Sequence, residues 1–188
     1  MSHRRMIALD LDGTLLRDDG SVDPRDVAAI RAAQRAGALV VIATGRLVHD
    51  ALEIVRALPL DGPLLCADGR LVACARTGAP IADLALPAEG TPATRVQAVA
   101  CSKGRALAQA AARAGVRREH VAAVGDWLND VSMLAWAGRS FAMAWAPEIV
   151  RAAATETLVS TNGAGGGVAE AVERWLGGSA KRAGSDGI

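Results

Sequence analysis

Apolar runs that recur along the chain predict a set of buried strands. Largely apolar residues occupy 6–10, 38–43 and 120–125, which is typical of parallel strands that are buried on both faces. Between the first two runs, Asp23 can cap a helix, Pro24 suits its first position, and Gly37 fits the position after its end. Strand, helix and strand in this order form a βαβ unit.

The remaining segments continue this alternation. A helix is predicted over 47–58, and two apolar runs within 64–75 flank Asp68 and Gly69, a strong signal for a β-hairpin. The later elements are predicted as a strand over 79–87, helices over 103–114, 128–137, 147–154 and 168–176, and strands over 120–125, 141–144 and 157–160. This order predicts a doubly wound, Rossmann-like α/β sheet, mostly parallel, with a small β-hairpin excursion.

Length and composition favour a single domain. A chain of 188 residues with 51% hydrophobic content can bury one core and leaves little room for a second full domain. We expect one core domain over 1–176, with a surface connection rich in proline, glycine and threonine at 87–95. The glycine-rich stretch 162–167 and the tail 177–188 are predicted to be flexible.

Charge and cysteine content limit the partners and the compartment. The 21 basic and 20 acidic residues leave a net charge of +1, which gives no electrostatic footprint for nucleic acid or for an anionic membrane. The three cysteines form no CxxC pair, and their odd number suits a reducing compartment. The N-terminus lacks the apolar region of a signal peptide and no uncharged run reaches membrane-spanning length, so we expect a soluble, cytoplasmic protein.

Polar motifs follow several of the predicted strands or open the next helix. They are DLDGT at 10–14, TGR at 44–46, SKG at 102–104 and GDWLND at 125–130. In a doubly wound sheet, ligands bind beyond the carboxyl ends of the strands, so these motifs are expected to meet at one site. Asp10 and Asp12 are two residues apart in extended backbone and therefore face the same way.

This set of residue types suits phosphoryl transfer. One carboxylate can attack phosphorus to form an aspartyl phosphate, and its neighbour can protonate the leaving alkoxide and later accept a proton from water. Carboxylates that approach a phosphate repel it, so the chemistry needs positive charge, which magnesium and a lysine would supply. The sequence offers Asp10 and Asp12 as reacting groups, Asp126 and Asp130 as metal ligands, Lys103 as the cation, and the Thr44 hydroxyl with the neighbouring Gly45 amide as phosphate donors.

Together, the motifs resemble those of the haloacid dehalogenase-like superfamily of phosphatases. DLDGTLL, IATGR, SKGRAL and GDWLND, followed by the segment 141–173, occur in the order seen in that superfamily and are similar to its Cof-type branch. The resemblance implies that Asp10 is the nucleophile, that Asp12 is the general acid and base, and that Thr44 and Lys103 hold the phosphate. It extends from residue 6 to about 176.

A magnesium cofactor and a small phosphomonoester substrate, such as a sugar phosphate or another metabolite phosphate, are further implications of this resemblance. Asp126 would bind the ion beside Asp10, and the backbone carbonyl of Asp12 would be a further ligand. Asn129 and Asp130 would complete or orient the site, the first near the phosphate and the second as a ligand or behind one.

The sequence departs from the Cof-type pattern at one segment and two single positions. Cof-type proteins carry a cap domain where this chain has about a dozen residues around 87–95, so the cap is expected to be essentially absent. An open site would accept larger phosphoesters or be covered by another subunit of a homo-oligomer. Asparagine is usual in the family at the positions of Asp68 and Trp145.

Three further side chains have open roles. Trp127 and Trp145 form a platform for a substrate ring, or they pack in the core or at a subunit interface. Arg46 belongs to the phosphate neighbourhood or forms a surface ion pair. As activities, a phosphotransferase or mutase of the same superfamily, a receiver-like phosphate sensor and a non-catalytic binding subunit are the alternatives to a phosphatase.

Overall fold

The computed structural model describes residues 5–60, 62–83, 101–160 and 165–183. Within these residues one sheet of eight strands has the order β5-β4-β3-β2-β1-β6-β7-β8. The antiparallel pairs are β3 with β4 and β4 with β5, and every other neighbouring pair is parallel. The strands are β1 (Arg5–Leu9), β2 (Ala38–Ala43), β3 (Pro63–Cys66), β4 (Leu71–Cys74), β5 (Pro80–Asp83), β6 (Val121–Gly125), β7 (Arg139–Ala142) and β8 (Glu156–Thr157).

Helices cover both faces of this sheet. Successive residues of β1 alternate between two apolar clusters: Ile7 packs with residues of α1, α2 and α6, and Met6 packs with residues of α3, α4 and α5. Both faces of the strand are therefore buried, and the predicted doubly wound α/β fold is confirmed. The helices are α1 (Pro24–Arg35), α2 (Val48–Val55), α3 (Lys103–Arg113), α4 (Val131–Trp136), α5 (Glu148–Ala153) and α6 (Gly167–Ala183).

The helix signals in the first βαβ unit are confirmed. The Asp23 carboxylate accepts a hydrogen bond from the Arg25 amide at 2.7 Å, and Pro24 is the first residue of α1. Gly37 follows the end of that helix with a φ of +80°. The predicted hairpin is also present, since β3 and β4 are antiparallel and joined by the turn Ala67–Gly69.

Several boundaries differ from the prediction. Helix α2 ends at Val55, and a 3-10 turn over Leu128–Asp130 precedes α4. Helix α6 continues to Ala183, although the sequence predicted an end at 176 and a flexible tail from 177. Extending an existing helix needs no new nucleus, so the glycines at 177 and 178 weaken it without ending it. The predicted connection at 87–95 lies outside the described residues.

A buried contact joins the first and last helices. The Asp26 side chain on α1 accepts hydrogen bonds from the backbone amides of Gly166 and Ala169, at 3.1 and 2.8 Å. It thus caps the start of α6, where the first backbone amides have no partner within the helix. Among the described residues, none of the helices is both long and apolar enough to cross a membrane.

Candidate active site

The predicted site residues meet at the carboxyl edge of the parallel strands. Asp10 directly follows β1, Thr44 follows β2, and Asp126 follows β6. Register brings these strand ends together: the Asp10 amide bonds to the Val124 carbonyl at 3.0 Å, and β1 pairs in parallel with both β2 and β6. The sequence motifs therefore converge because their strands are neighbours in the sheet.

Three buried carboxylates lie close together, and two of them pair with one buried ammonium group. Oxygen atoms of Asp10, Asp126 and Asp130 lie within 4.8 Å of one another. Lys103, the first residue of α3, is only 1% exposed, and its Nζ lies 2.6 Å from Asp10 Oδ1 and 2.6 Å from Asp130 Oδ1. One lysine cannot balance three carboxylates, so the cluster carries an excess of buried negative charge.

The pKa values reflect this crowding. Burial and the neighbouring Asp130 raise the pKa of Asp10 to about 7, and the attraction of Lys103 only partly opposes them. Burial also raises the pKa of Asp126. For Lys103, burial is the strongest single influence and lowers the pKa, but Asp10 and Asp130 together raise it above its usual value. The Lys103 ammonium therefore stays charged, whereas the Asp10 carboxyl keeps its proton up to a pH of about 7.

Two glycines let the carboxylates approach this closely. Gly13 has a φ of +80°, and a Cβ added there would lie 2.3 Å from Asp126 Oδ2. A Cβ added to Gly125 would lie 2.6 Å from Asp130 Oδ2. Any other residue at these positions would push a carboxylate out of the cluster.

Hydrogen bonds fix the two later aspartates. Thr14 Oγ1 donates to Asp126 Oδ1 at 3.1 Å, and an interaction with the Trp145 indole N–H lowers the pKa of the same carboxyl group. Asp130 Oδ2 accepts from the backbone amides of Asp126 and Trp127 at 2.9 and 3.0 Å. Both Asp130 oxygens thus have protein partners, and this side chain orients its neighbours.

The donor set fits a hard divalent cation. Carboxylate oxygens are the ligands that magnesium, calcium and manganese prefer, and a dication would neutralise the excess charge of the cluster. Because oxygen atoms of Asp10 and Asp126 lie within 4.8 Å of each other, a proton held by this pair would meet the same electrostatic need. The buried aspartate cluster can therefore hold a metal ion.

An open cleft of about 390 Å³ leads to the cluster. Asp12 lies in it with a side chain that is 54% exposed, paired with Arg46 through Nε–Oδ2 and Nη2–Oδ1 contacts of 2.9 and 2.6 Å. Of the two roles open to Arg46, the ion pair is present, and its partner is a predicted catalytic group. The cleft is lined by Asp10, Asp12, Gly45, Arg46, Asp126, Trp127 and Asn129.

Two predicted phosphate-binding residues have other partners in this structure. Thr44 is fully buried beside Gly45, and its Oγ1 accepts the Arg46 amide at 3.1 Å, which leaves its own hydrogen to donate. The Asn129 amide nitrogen donates to Asp68 Oδ1 at 2.8 Å. From the sequence, Asp68 was assigned only to a turn. The asparagine that is usual in the family at this position could have indicated that it lies near the site.

The two tryptophans differ in environment. Trp127 lines the cleft and is 58% exposed. Trp145 is half-buried against the apolar cluster that contains Ile7 and Leu9, and its indole N–H also interacts with Asp126. The shared platform stays a prediction, and the contact between Trp145 and Asp126 was not foreseen.

Comparison with known proteins identifies the class that this fold and site define. A model of the haloacid dehalogenase-like hydrolases matches residues 7–94 and 90–172, so the chain belongs to that family. It is 25% identical over 240 residues to the 5-amino-6-(5-phospho-D-ribitylamino)uracil phosphatase YcsE of Bacillus subtilis (strain 168), covering 92% of this chain and 96% of YcsE.

One further relative and one solved structure are also similar to this chain. The chain is 44% identical over 66 residues to the pyridoxal phosphate phosphatase YbhA of Escherichia coli (strain K12), a match that covers 35% of this chain and 24% of YbhA. Its fold is similar to that of BT1666 from Bacteroides thetaiotaomicron, described as one of the phosphatases of the same superfamily. That similarity has a TM-score of 0.78 and 20% identity, and covers 94% of this chain and 96% of BT1666.

Proposed function

We propose that this chain is a magnesium-dependent phosphatase that hydrolyses a small phosphomonoester through an aspartyl phosphate on Asp10. The observation that carries the proposal is the buried cluster in which Lys103 bridges Asp10 and Asp130 beside Asp126, at the base of an open cleft. The relatives YcsE and YbhA are both named phosphatases of phosphorylated small molecules, which favours hydrolysis over transfer to an organic acceptor.

The first half of the reaction uses the two aspartates of the DLD motif. Lys103 holds one oxygen of Asp10. A carboxylate oxygen of Asp10 attacks phosphorus, and the bond from phosphorus to the leaving oxygen breaks. Asp12, exposed in the cleft, gives its proton to the departing alkoxide.

In the second half, the Asp12 carboxylate takes a proton from water. That water attacks phosphorus, the acyl phosphate bond breaks, and phosphate and the Asp10 carboxylate are restored. Arg46 must release Asp12 during this cycle, because its bidentate ion pair occupies both oxygens of the acid.

The remaining roles concern binding. Magnesium, held by Asp10, Asp126 and the Asp12 backbone carbonyl, would supply charge neutralisation between nucleophile and phosphate. Asp130 orients this set, since its two oxygens bond to Lys103 and to backbone amides. The phosphate oxygens would be bound by the Thr44 hydroxyl, the Gly45 amide, Lys103 and Asn129.

We also infer that residues 1–176 form a core domain without a full cap, residues 87–95 standing in its place. The match to YcsE extends over 240 positions, more than the 188 residues of this chain, so the relative has segments that this chain lacks. The family match also falls into two parts, which meet at 90–94. A site without a cap accepts larger esters or is covered by a second copy of the chain.

The test measures phosphate release from a panel of phosphomonoesters that ranges from small sugars to nucleotides, with magnesium and with a chelator. We expect metal-dependent release that Asp10→Asn abolishes, while Asp18→Asn, at an exposed loop residue, leaves it intact. Full activity of Asp10→Asn would contradict the nucleophile assignment. Transfer of phosphate to added alcohols in preference to water would favour the phosphotransferase alternative.

The preferred size of the ester and the oligomeric state distinguish an uncovered cleft from a cleft that a second copy of the chain covers. Release from large and small esters alike by a monomer, measured by light scattering, is expected for an uncovered cleft. A preference for small esters that is lost on dilution to monomers is expected where a second copy covers the cleft.

A further inference from the structure

The mouth of the cleft carries a carboxylate that the proposed reaction does not use. Asp68 Oδ1 accepts a hydrogen bond from the Asn129 amide nitrogen at 2.8 Å. A Cβ added to Gly45 would lie 3.2 Å from the same oxygen. Asp68 therefore lies directly against Asn129 and Gly45, which both line the cleft where the phosphate is proposed to bind.

Backbone geometry holds Asp68 in this place. Ala67 and Asp68 have φ values of +50° and +53°, a conformation that side chains other than glycine seldom adopt. Their amides donate to the carbonyls of Arg46 and Thr44 at 2.9 and 3.2 Å, which ties this turn to the loop after β2. The surrounding structure thus fixes an uncommon conformation beside the site.

The chemistry of Asp68 decides which atom Asn129 offers to a ligand. An ionised carboxylate only accepts hydrogen bonds, so the amide nitrogen of Asn129 must face it. This bond uses one of the two amide hydrogens of Asn129, so the second remains the donor for the proposed phosphate contact, and the carbonyl oxygen of Asn129 is turned away from Asp68. With asparagine at position 68, as is usual in the family, either amide orientation would be satisfied.

Charge adds to this effect. Among the described residues Asp68 has no ion-pair partner, and Arg46, the cation of the neighbouring loop, is paired with Asp12. While Arg46 is paired with Asp12, the rim beside Gly45 therefore carries a carboxylate without a cation, next to the carbonyl oxygen of Asn129.

We propose that Asp68 and Asn129 form an acceptor rim that selects phosphomonoesters by the leaving group. The rim favours leaving groups with hydroxyl or ammonium donors, and it disfavours those that carry a second anion. This inference rests on the proposed phosphatase function, because it takes the phosphate to lie beside Asp10 and Gly45. Asp68 is a specificity-determining residue in this scheme and takes no part in the bond changes.

The test compares two esters of matched size, sn-glycerol 3-phosphate and 3-phosphoglycerate, which differ in an alcohol against a carboxylate on the terminal carbon. Calorimetry with the Asp10→Asn variant in magnesium gives both Kd values without turnover. We expect about 5- to 10-fold tighter binding of the glycerol ester, the scale of one partly screened charge contact. Adding Asp68→Asn should tighten binding of the glycerate ester and remove most of that preference, because asparagine tolerates positive φ and keeps the shape.

Glu173→Gln is the matched control, since it removes one negative charge from the groove between α1 and α6, away from the cleft. An unchanged preference in Asp68→Asn, an equal change in the control, or no binding of either ester overturns the acceptor rim. Turnover of the Asp10-containing chain is measured in parallel. A binding preference that depends on Asp68, without any turnover, would refute the proposed phosphatase activity and still support the acceptor rim.

Discussion

Replacing Asp10 with asparagine should make the metal-free protein more stable, by an amount that grows with pH. Burial and the nearby Asp130 raise the Asp10 pKa from 3.8 to about 7, so the folded state binds this proton more tightly than the unfolded state does. The contribution of the protonated Asp10 carboxyl to the unfolding free energy is fully present below pH 4. It is lost as pH rises through 7, because ionising the carboxyl then favours unfolding.

The magnitude follows from the shift. A rise of about three pKa units, at about 1.4 kcal/mol each, corresponds to roughly 4 kcal/mol of destabilisation in the wild-type chain above pH 7. Asparagine resembles the protonated aspartic acid in size and cannot ionise. The two chains should therefore be about equally stable near pH 4, and the variant should gain roughly 4 kcal/mol by pH 8.

Urea denaturation in a chelator, at half-unit steps from pH 4 to pH 8.5, measures the unfolding free energy of both chains. Asp18→Asn serves as the control, because this aspartate is exposed and outside the cluster. A difference between Asp10→Asn and wild type that does not change with pH would refute the reasoning, and so would a variant that is less stable at pH 8. Excess magnesium should narrow the gap, since the wild-type cluster then binds the ion in place of the proton.

Three other substitutions test the cluster. Gly13→Ala puts a Cβ where Asp126 Oδ2 lies and also strains a positive φ, so calorimetry should show magnesium binding weakened about 10-fold or more. Trp145→Phe keeps an aromatic ring but removes the indole N–H that lowers the Asp126 pKa, so the same titration should show binding about 5-fold weaker, with little change in the melting temperature. Lys103→Met leaves buried carboxylates without their cation, which should lower the unfolding free energy at pH 8 by about 3–5 kcal/mol. The loss should shrink at pH 5, where the raised Asp10 pKa leaves that carboxyl protonated, and an equal loss at both values would contradict this account.

The elements that the sequence predicted well depend on local or strictly periodic signals. Strand β1 is apolar on both faces, which predicts helices on both sides of the sheet. Asp23, Pro24 and Gly37 mark α1 through contacts within a few residues. The meeting of Asp10 and Asp126 could also be predicted, because residues at the carboxyl ends of adjacent parallel strands must lie near one another.

Contacts that depend on tertiary placement could not be predicted in this way. Asp68 and Asn129 are 61 positions apart, and their bond requires the hairpin turn and the 3-10 turn to face each other. Asp26 and Ala169 are 143 positions apart, in helices whose relative placement no local signal records. The interaction of Trp145 with Asp126 was not predicted, because tryptophan was considered mainly as an apolar ring. Its indole N–H is also a hydrogen-bond donor that needs a partner.

The glycines in DLDGT and GDWLND explain why these short motifs carry more information than their aspartates alone. Paired acids are common on surfaces, but a cluster of buried acids exists only where the backbone leaves room for their oxygens to approach. Gly13 and Gly125 provide that room, since a Cβ at either would collide with a carboxylate oxygen. The same closeness raises the Asp10 pKa and creates the demand for a cation. The glycines thus link the sequence pattern to its electrostatic consequence, and a chain that kept the acids but replaced these glycines should lose the metal site before it loses the fold.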